Sequence, residues 1–435
     1  MVSELVTMRL VDCMDAIIDY RGKTPKKTTS GIPLITAKII KGGRIQDVTE
    51  FIAEENYDSW MVRGIPQCGD VVLTTEAPLG EVAQLDSRKV ALAQRVITLR
   101  GKKGLLSNDY LAYLLQSRYV QHQLDGRGTG STVKGIKQSE LKEVELTFPS
   151  YDMQEQVASH LKKIDVKIDL NRQINQTLEQ MAQTLFKSWF VDFDPVIDNA
   201  LDAGSDIPEV FETRVERRKA VRESADFKAL PDDVRQLFPS EFEESELGWV
   251  PKGWEFGTVS DLLVLQRGFD LPKTKRVAGD YALIASSGQD GTHNEAKVKG
   301  PGITTGRSGK IGIVTFVFGD FWPLNTTLWV KEYRASNPYH ALFYLKTLPL
   351  ETLNSGSAVP TLNRNYVHNL PAVVPNSSVL DKFESLVSGS FKKINLNQLE
   401  NESLTKLRDT LLPKLISGEL RLDSPEVEQA KALVD

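Results

Sequence analysis

Cysteine is scarce in this chain of 435 residues, which has only Cys13 and Cys68. Two cysteines are too few for a disulfide framework or a cysteine-rich metal site, so we expect a reduced, cytoplasmic setting. The sequence contains no apolar run long enough to cross a membrane and no recognisable signal peptide. These absences predict a cytoplasmic protein that has no membrane partner.

Motifs for catalysis and cofactor binding are missing as well. The five histidines form no His-Glu-x-x-His pattern, and the chain has no Gly-x-Ser-x-Gly elbow and no Gly-x-Gly-x-x-Gly loop after a strand. Residues 306–310 resemble a phosphate loop, but Thr304 stands where its first Gly belongs and Ile311 where Ser or Thr belongs. We therefore predict no catalytic residue, no metal site and no cofactor in this chain.

The net charge of −5 is unevenly distributed along the chain. Residues 196–247 hold 14 acidic and 7 basic residues, whereas residues 1–45 hold 8 basic and 4 acidic ones. The acidic excess is thus local to one connector, and the remainder of the chain is close to neutral. An overall negative charge therefore does not exclude a nucleic-acid partner.

Residues 152–190 contain neither Pro nor Gly and predict one long helix. Apolar residues recur there at steps of three and four, which places them in one stripe along the helix. The stripe consists of Val157, Leu161, Ile164, Ile168, Leu178, Met181, Leu185 and Trp189. Asn171 and Asn175 interrupt it, and a polar residue at a helix-pairing position costs stability but fixes the register. A helix of this length with one apolar stripe needs a second helix to cover it.

A second copy of this pattern lies 226 positions further along the chain. The shift places Asn171 on Asn397 and Asn175 on Asn401, and it predicts a second long helix over residues 378–416. From this internal repeat we predict that the two helices pair antiparallel as a coiled coil. The residues predicted to make the pairing are Leu161, Ile168, Asn171, Asn175, Leu178, Leu185, Ile394, Asn397, Asn401, Leu404, Leu407 and Leu411.

The repeat divides the chain into two globular domains, each followed by a long helix. The predicted boundaries are residues 1–150 for the first domain, 151–195 for the first helix, 196–247 for the acidic connector, 248–376 for the second domain, 377–421 for the second helix and 422–435 for a tail. Short strand signals broken by Gly and Pro, together with a helix predicted at residues 109–120, indicate an α+β fold. The second domain shows these signals in the same order, so we predict a pseudo-two-fold repeat.

Basic residues cluster in Gly-punctuated loops at matching points of both domains. Gly allows a close approach to a nucleic-acid backbone, Lys neutralises phosphate, and Arg can bind guanine through two hydrogen bonds. One such residue alone is more often a solvated surface charge, but the matching sets favour double-stranded DNA as the partner. The predicted DNA-binding residues are Arg21, Lys23, Lys26, Lys27, Arg127, Lys134, Arg267, Lys273, Lys275, Arg276, Arg307 and Lys310.

Four strings in a fixed order carry a resemblance to a known family. They are GSTVKGIKQSEL at 130–141, TLFKSWFVDFDP at 184–195, FPSEFEESELGWVPKGWE at 238–255 and LLPKLISGEL at 411–420. With its two domains and two repeated helices, the chain resembles over nearly its whole length the specificity subunit of type I restriction-modification enzymes. The resemblance implies a non-catalytic DNA reader. Each of its two target recognition domains would read one half of a bipartite site, and the paired helices would set the spacing.

The resemblance also implies partner subunits. Two modification subunits would dock on the helices and methylate adenine with S-adenosylmethionine, and a restriction subunit would translocate and cut DNA using ATP and Mg²⁺. None of these cofactors would bind to this chain. Because target recognition domains differ within the family, the resemblance assigns no individual base contact.

Two alternatives stay open from the residues alone. One is a self-contained DNA-modifying enzyme or nuclease, for which Asp280, Glu295 and Lys297 are a poor match to an Asp…Glu-x-Lys site. Metal- or cofactor-dependent turnover by the isolated chain would support this alternative. The other is a coiled-coil scaffold that binds only proteins, which would show no salt-dependent binding to duplex DNA even within a full complex.

Overall fold

A computed structural model describes residues 5–22, 24–130, 133–246, 248–356 and 359–432. The chain divides into two units: unit 1 comprises Met1–Asn171 and Leu399–Asp435, and unit 2 comprises Arg172–Gln398. Lys23, one of the predicted DNA-binding residues, lies outside the described residues. Each unit contains both helices and strands, which confirms the predicted mixed class.

Short strands and helices precede the first long helix. The strands are β1 (Val6–Arg9), β2 (Met14–Asp19), β3 (Ile32–Ile35), β4 (Ile40–Lys41), β5 (Arg44–Ile45), β6 (Phe51–Ile52), β7 (Val71–Thr75), β8 (Leu79–Gln84), β9 (Ala91–Leu92), β10 (Val96–Gly101) and β11 (Glu145–Phe148). The helices are α1 (Leu10–Cys13), α2 (Tyr57–Trp60), α3 (Asn108–Gln116), α4 (Arg118–Arg127), α5 (Gln138–Lys142) and α6 (Tyr151–Phe186). Helix α6 confirms the long helix predicted from residue 152 and ends in a π-helical turn at Lys187–Val191.

The second half of the chain has the same kinds of element. Its strands are β12 (Phe242–Ser245), β13 (Gly248–Pro251), β14 (Glu255–Thr258), β15 (Leu263–Arg267), β16 (Tyr281–Ala285), β17 (Gly288–His293), β18 (Gly302–Gly306), β19 (Val314–Val317), β20 (Phe321–Pro323), β21 (Thr327–Tyr333) and β22 (Pro371–Val374). Its helices are α7 (Asp194–Ala203), α8 (Glu212–Arg222), α9 (Asp232–Arg235), α10 (Val259–Leu262), α11 (Pro338–Thr347), α12 (Arg364–His368), α13 (Ser377–Ile416) and α14 (Pro425–Ala432). Helix α13 is the predicted second long helix.

The central sheet of unit 1 is antiparallel with the strand order β2-β10-β7-β8. Alternate residues of a strand point to opposite faces, and in β7 both faces are covered. Val71 and Leu73 pack in the core that includes α3 and the long helices, whereas Val72 packs in the core of a second sheet, β6-β3-β9. Because the faces are covered, the sheet can offer only its edges and the loops at its strand ends to a partner.

The central sheet of unit 2 is also antiparallel and has the order β15-β21-β18-β19. A second sheet has the order β17-β16-β20, in which β16 and β20 run parallel, as β3 and β9 do in unit 1. Ile303, Leu328 and Leu342 pack in one core together with Phe383 of α13. In each central sheet the first and the last of its four strands in the sequence pair with each other, and the neighbours follow in the same order, since β15, β21, β18 and β19 take the places of β2, β10, β7 and β8.

The single helix predicted at residues 109–120 is wrong, because the chain forms two helices there that are separated at Ser117. Ser117 has an extended backbone (φ −64°, ψ 148°) that ends α3. Its hydroxyl oxygen accepts a hydrogen bond of 3.4 Å from the Val120 N–H and caps α4. A serine at this position satisfies an amide that the first turn of a helix leaves unpaired.

The acidic connector is folded into unit 2 through paired charges. Arg218 of α8 donates two hydrogen bonds, of 2.8 and 2.6 Å, to the carboxylate of Asp198 on α7. Arg217 donates one of 3.0 Å to Asp192. Val196 of α7 is fully buried in the core of unit 2. Basic residues of α8 thus offset part of the acidic excess of this segment within the fold.

Candidate nucleic-acid interface

The candidate interface of unit 1 lies where β2 and β7 end and β10 begins. Thr75, the last residue of β7, accepts a hydrogen bond of 2.9 Å from the Ile136 N–H. The Thr75 N–H donates one of 3.0 Å to the carbonyl oxygen of Arg95, which precedes β10. We define the rim of unit 1 as residues 19–21, 75–76, 95, 127–130 and 133–136. The rim joins three strand ends to the Gly-rich loop in which DNA contacts are predicted.

Arg21 holds the Gly-rich loop against the sheet. Its Nε donates to Asp19 at 2.8 Å, and its Nη1 donates to the carbonyl oxygen of Ile136 at 2.7 Å. Arg63 donates in turn to the carbonyl oxygens of Asp19 and Arg21, at 3.1 and 2.8 Å. Two guanidinium groups therefore fix the backbone on both sides of the rim, and a DNA contact by Arg21 would compete with these bonds.

Gly130 permits the tight turn of the loop in unit 1. The N–H groups of Thr129 and Gly135 each donate to the other's carbonyl oxygen, at 2.8 and 2.9 Å. Gly130 has a φ of +114°, and a Cβ atom there would lie 2.2 Å from the carbonyl oxygen of Val133. Only glycine fits such a position. Any larger residue would reshape the loop that carries Arg127 and Lys134.

The rim of unit 2 repeats this arrangement. The Arg307 N–H donates 2.8 Å to the carbonyl oxygen of Thr326, and the Leu362 N–H donates 2.8 Å to the carbonyl oxygen of Arg307. A Cβ atom on Gly356 would lie 2.1 Å from the carbonyl oxygen of Val359. We define the rim of unit 2 as residues 267–270, 307–310, 325–326, 355–356 and 359–362. Both rims thus place basic side chains around a strand end fastened to a Gly-containing turn.

A carboxylate stands between two polar side chains of the second rim. Asp270 accepts a hydrogen bond of 3.4 Å from Arg267 and a shorter one from the side-chain amide of Asn325. Arg307 donates 3.2 Å to the carbonyl oxygen of Asn325. Arg267 and Arg307 are therefore linked through Asp270 and Asn325. Their separation of 40 positions in the sequence does not reveal this link.

The remaining predicted cations differ in their surroundings. Lys134 pairs with Asp125, Arg127 with Glu140, Lys27 with Glu50 and Arg276 with Asp290. All of these pairs are partly exposed, and such pairs contribute on the order of 1 kcal/mol or less, so phosphate could replace the carboxylate. Across the described residues, no ion-pair partner is found for Lys26, Lys273, Lys275 or Lys310. Of these four, only Lys310 belongs to a rim.

The long helices contact each other within unit 1. The side-chain amide of Asn171 donates 3.0 Å to Oδ1 of Asn401 and 2.7 Å to the carboxylate of Glu400. Arg408 donates 2.8 Å to Asp165 one to two turns further along. The predicted pairing residues Leu161, Ile168, Leu404 and Leu411 are buried in one core, and Leu407 is partly buried against it.

The same helices also contact each other within unit 2. Asn397 donates 2.8 Å to Oδ1 of Asn175, and Asn175 donates 3.4 Å to the carbonyl oxygen of Ile394. Leu178 and Leu185 are half-buried. The prediction that Met181 belongs to the buried stripe is wrong: Met181 is 61% exposed, and its neighbour Ala182 is buried. The stripe moves around the helix by one residue because 3.6 residues per turn do not match a repeat of seven.

A polar triad ties the domain of unit 1 to its helices. The Tyr113 hydroxyl of α3 donates 2.7 Å to Asp165, which also accepts from Arg408. Burial and the neighbouring Asp165 carboxylate raise the pKa of Tyr113, so the phenol stays protonated and remains a donor. Burial lowers the pKa of Arg408, but the hydrogen bonds and negative charges of Asp165 and Asp409 together raise it more, so this side chain stays charged.

The described residues contain no group of three or more His, Cys, Asp or Glu side chains that could hold a metal ion. Burial raises the pKa of the Cys13 thiol to about 11, which disfavours the reactive thiolate. Among those same residues, no helix is both long and apolar enough to span a membrane.

The chain is similar in sequence to known proteins that are named for DNA specificity. Residues 7–180 match the family model of the type I restriction modification DNA specificity domain. The chain is 28% identical over 398 residues to the type I restriction enzyme MjaIX specificity subunit of Methanocaldococcus jannaschii, covering 86% of this chain and 82% of the relative. It is 26% identical over 385 residues to the type I restriction enzyme HindI specificity subunit of Haemophilus influenzae, covering 77% of this chain and 82% of that protein.

A solved structure shares the fold. The crystal structure of the type I restriction-modification system S subunit from M. genitalium aligns with a TM-score of 0.54 at 16% identity, over 95% of this chain and 96% of that one. Residues 7–180 thus match a DNA specificity domain, and the chain shares the fold of a solved S subunit. Over most of its length the chain is similar to type I restriction enzyme specificity subunits.

Proposed function

We propose that the chain reads a bipartite DNA site, with one half-site bound at the rim of each unit. The observation that carries this proposal is the recurrence of one arrangement: a strand end, a Gly-containing turn and a set of partly exposed basic side chains. Lysines of these loops would neutralise phosphates, and arginines would bind base edges in the major groove. The proposed DNA-binding residues remain the twelve predicted from the sequence.

We further propose that α6 and α13 pair as an antiparallel coiled coil and that the chain is an internal pseudo-two-fold repeat. The reciprocal asparagine pairs support this, because a shift of 226 positions exchanges Asn171 with Asn397 and Asn175 with Asn401. Hydrogen bonds at the two Gly-containing turns obey the same shift, since Ile136 corresponds to Leu362. Such a helix pair would hold the two half-sites at a fixed separation.

Two modification subunits are the proposed partners on the helices. Apolar side chains of the helices remain uncovered within each unit: Val166, Leu170 and Leu399 in unit 1, and Ile174, Met181 and Leu396 in unit 2. Exposed apolar side chains that are concentrated on the two long helices favour a protein partner there. In such a complex, which would act in the cytoplasm, the modification subunits would use S-adenosylmethionine, and a restriction subunit would use ATP and Mg²⁺.

The test is a map of methylated adenines in cells that carry this gene alone, the genes of its modification subunits alone, or all of these genes together. We expect one bipartite motif with a constant gap, present only when both partners are expressed. Methylation by the modification subunits alone, at the same motif, would contradict the proposal. A verified single chain that methylates or cuts DNA would instead support a self-contained enzyme.

A further inference from the structure

Backbone hydrogen bonds align the two rims residue by residue. Ile136 and Leu362, which the 226-residue shift equates, donate to the carbonyl oxygens of Thr75 and Arg307, respectively. Thr75 and Arg307 donate in turn to the carbonyl oxygens of Arg95 and Thr326. Thr75 therefore corresponds to Arg307, and Arg95 corresponds to Thr326.

Each rim has an arginine at this point, but the two arginines occupy positions that do not correspond to each other. In unit 1 it is Arg95, which immediately precedes β10, and in unit 2 it is Arg307, which immediately follows β18. The following residues differ as well: Glu76 forms a β-bridge with Gly135, and Ser308 forms the equivalent bridge with Thr361. One scaffold thus presents an arginine beside a carboxylate in unit 1, and an arginine beside a hydroxyl in unit 2.

Arg95 and Glu76 are held by their backbones but loosely by their side chains. The Arg95 Nε lies 3.8 Å from the Glu76 carboxylate, beyond hydrogen-bonding distance, and the two side chains are 49% and 43% exposed. A pair of this kind is weak, so its members can separate at little cost when better partners arrive. Both polar ends are therefore free to reach a ligand, while their Cα positions stay fixed.

We infer that Arg95 and Glu76 determine base specificity in the half-site read by unit 1, an inference that rests on the proposed function. The chemistry of the two groups names the bases. A guanidinium donates two parallel hydrogen bonds to O6 and N7 of guanine, and a carboxylate accepts from the N4 amino group of cytosine. Arg95 and Glu76 side by side match a guanine and a cytosine in the major groove, either paired or on adjacent steps. In unit 2, Arg307 takes the guanine-reading role.

The test uses the complete complex with its modification subunits. Arg95→Ala removes one proposed base contact, and Glu76→Gln replaces the carboxylate with an amide of the same size. Neither change touches a buried residue. The matched control is Arg88→Ala, since Arg88 also pairs with a nearby carboxylate, is exposed and lies outside the rim. Methylation rates are measured on a set of duplexes with every single-base change in both half-sites, and thermal unfolding checks that each variant is folded.

We expect Arg95→Ala to lose about fivefold or more of the discrimination at one guanine position of one half-site, the low end for a bidentate contact. Glu76→Gln should relax selection at a cytosine position of the same half-site, because an amide can donate as well as accept. Arg307→Ala should alter only the other half-site, and Arg88→Ala should alter neither.

Three outcomes would overturn the inference. Unchanged selectivity of the two variants would make Arg95 and Glu76 an ordinary surface pair. A loss that is uniform across all duplexes would assign Arg95 to the phosphate backbone instead. A change in the half-site of unit 2 would contradict the assignment of these residues to unit 1. If the complex with the wild-type chain shows no bipartite selectivity at all, the proposed function fails. This outcome is visible before any variant is compared.

Discussion

The side-chain amide of Asn171 donates a hydrogen bond to Oδ1 of Asn401 in unit 1, at 3.0 Å. In unit 2, Asn397 donates to Asn175 in the same sense, at 2.8 Å. The surroundings of the two bonds differ. Asn171 also donates to Glu400, whereas the 226-residue shift places Ile174 at the equivalent point beside Asn397.

This asymmetry predicts unequal costs for removing the acceptor of each bond. Asn175→Ala leaves the fully buried amide of Asn397 without its partner, and we expect a loss of about 1–3 kcal/mol in unfolding free energy. Asn401→Ala leaves Asn171 bonded to Glu400 and should cost less. Urea unfolding monitored by circular dichroism measures both, and Gln176→Ala, on an exposed position of α6, is the control. Equal losses would show that Glu400 does not compensate.

A second prediction concerns the ion pair between α7 and α8. The side chains of Arg218 and Asp198 are only 15% and 11% exposed, and removing Arg218 leaves the Asp198 carboxylate with only the longer pair to Arg222, at 3.9 Å. We expect Arg218→Met to lower the unfolding free energy by about 3 kcal/mol, with little dependence on salt.

Arg9→Met serves as the matched control for this ion pair. Arg9 binds Asp12 at a similar distance, but both side chains are about half exposed, so the change should lower the unfolding free energy much less. If the two substitutions cost the same, the Arg218–Asp198 pair does not hold α8 against α7.

The sequence predicted the two long helices and the equivalence of their asparagines because both depend on local periodicity and on a repeat. It could not predict the charge pairing of the connector, since a net charge does not say which side chains meet. Arg63 and Arg95 were missed for a similar reason: their contacts join residues that are far apart in the sequence. The error at Ser117 is different in kind, because an apolar helical pattern continues across a position where the backbone turns.

The buried His340 predicts an acid-sensitive unit 2. Burial lowers the pKa of His340 to about 3, from about 6.5 in an unfolded chain. Between these values the unfolded state binds a proton that the folded state does not, so stability falls as the pH decreases. The loss should begin below about pH 6.5 and approach about 1 kcal/mol per pH unit.

His340→Gln tests this assignment, because an amide can replace the hydrogen bond of 2.9 Å between Nδ1 and the Ser336 hydroxyl without titrating. The difference in urea midpoint between pH 7.5 and pH 5 should shrink in the variant. His122→Gln, on an exposed position of α4, should leave the difference unchanged. An undiminished pH dependence in His340→Gln would assign the acid sensitivity to other groups.

If each rim reads its own half-site, as proposed, the specificity of one half-site can be changed without the other. Replacing residues 1–150 with the corresponding segment of a relative exchanges the rim of unit 1 and keeps both long helices. We expect one half of the methylated motif to change while the other half and the gap remain. Methylome sequencing reads all three at once. A change in both halves, or in neither, would show that the rims do not read DNA separately.

The final prediction treats the paired helices as a ruler. Seven residues inserted at matching positions of α6 and α13 keep the apolar stripe in phase and lengthen each helix by about 10 Å. Since duplex DNA rises about 3.4 Å per base pair, the preferred gap between the half-sites should grow by about three base pairs. The half-sites themselves should stay the same, because no rim residue is altered.

The added base pairs also rotate one half-site relative to the other by roughly 100°, since a full turn takes 10–10.5 base pairs. We therefore expect methylation to become slower even at the new preferred gap. Inserting two residues into each helix is the control, because it rotates the stripe by about 200°, away from its partner, and should weaken assembly of the complex. The measurement is methylation of duplexes that carry gaps of every length. An active seven-residue variant that still prefers the original gap would show that another part of the complex sets the spacing.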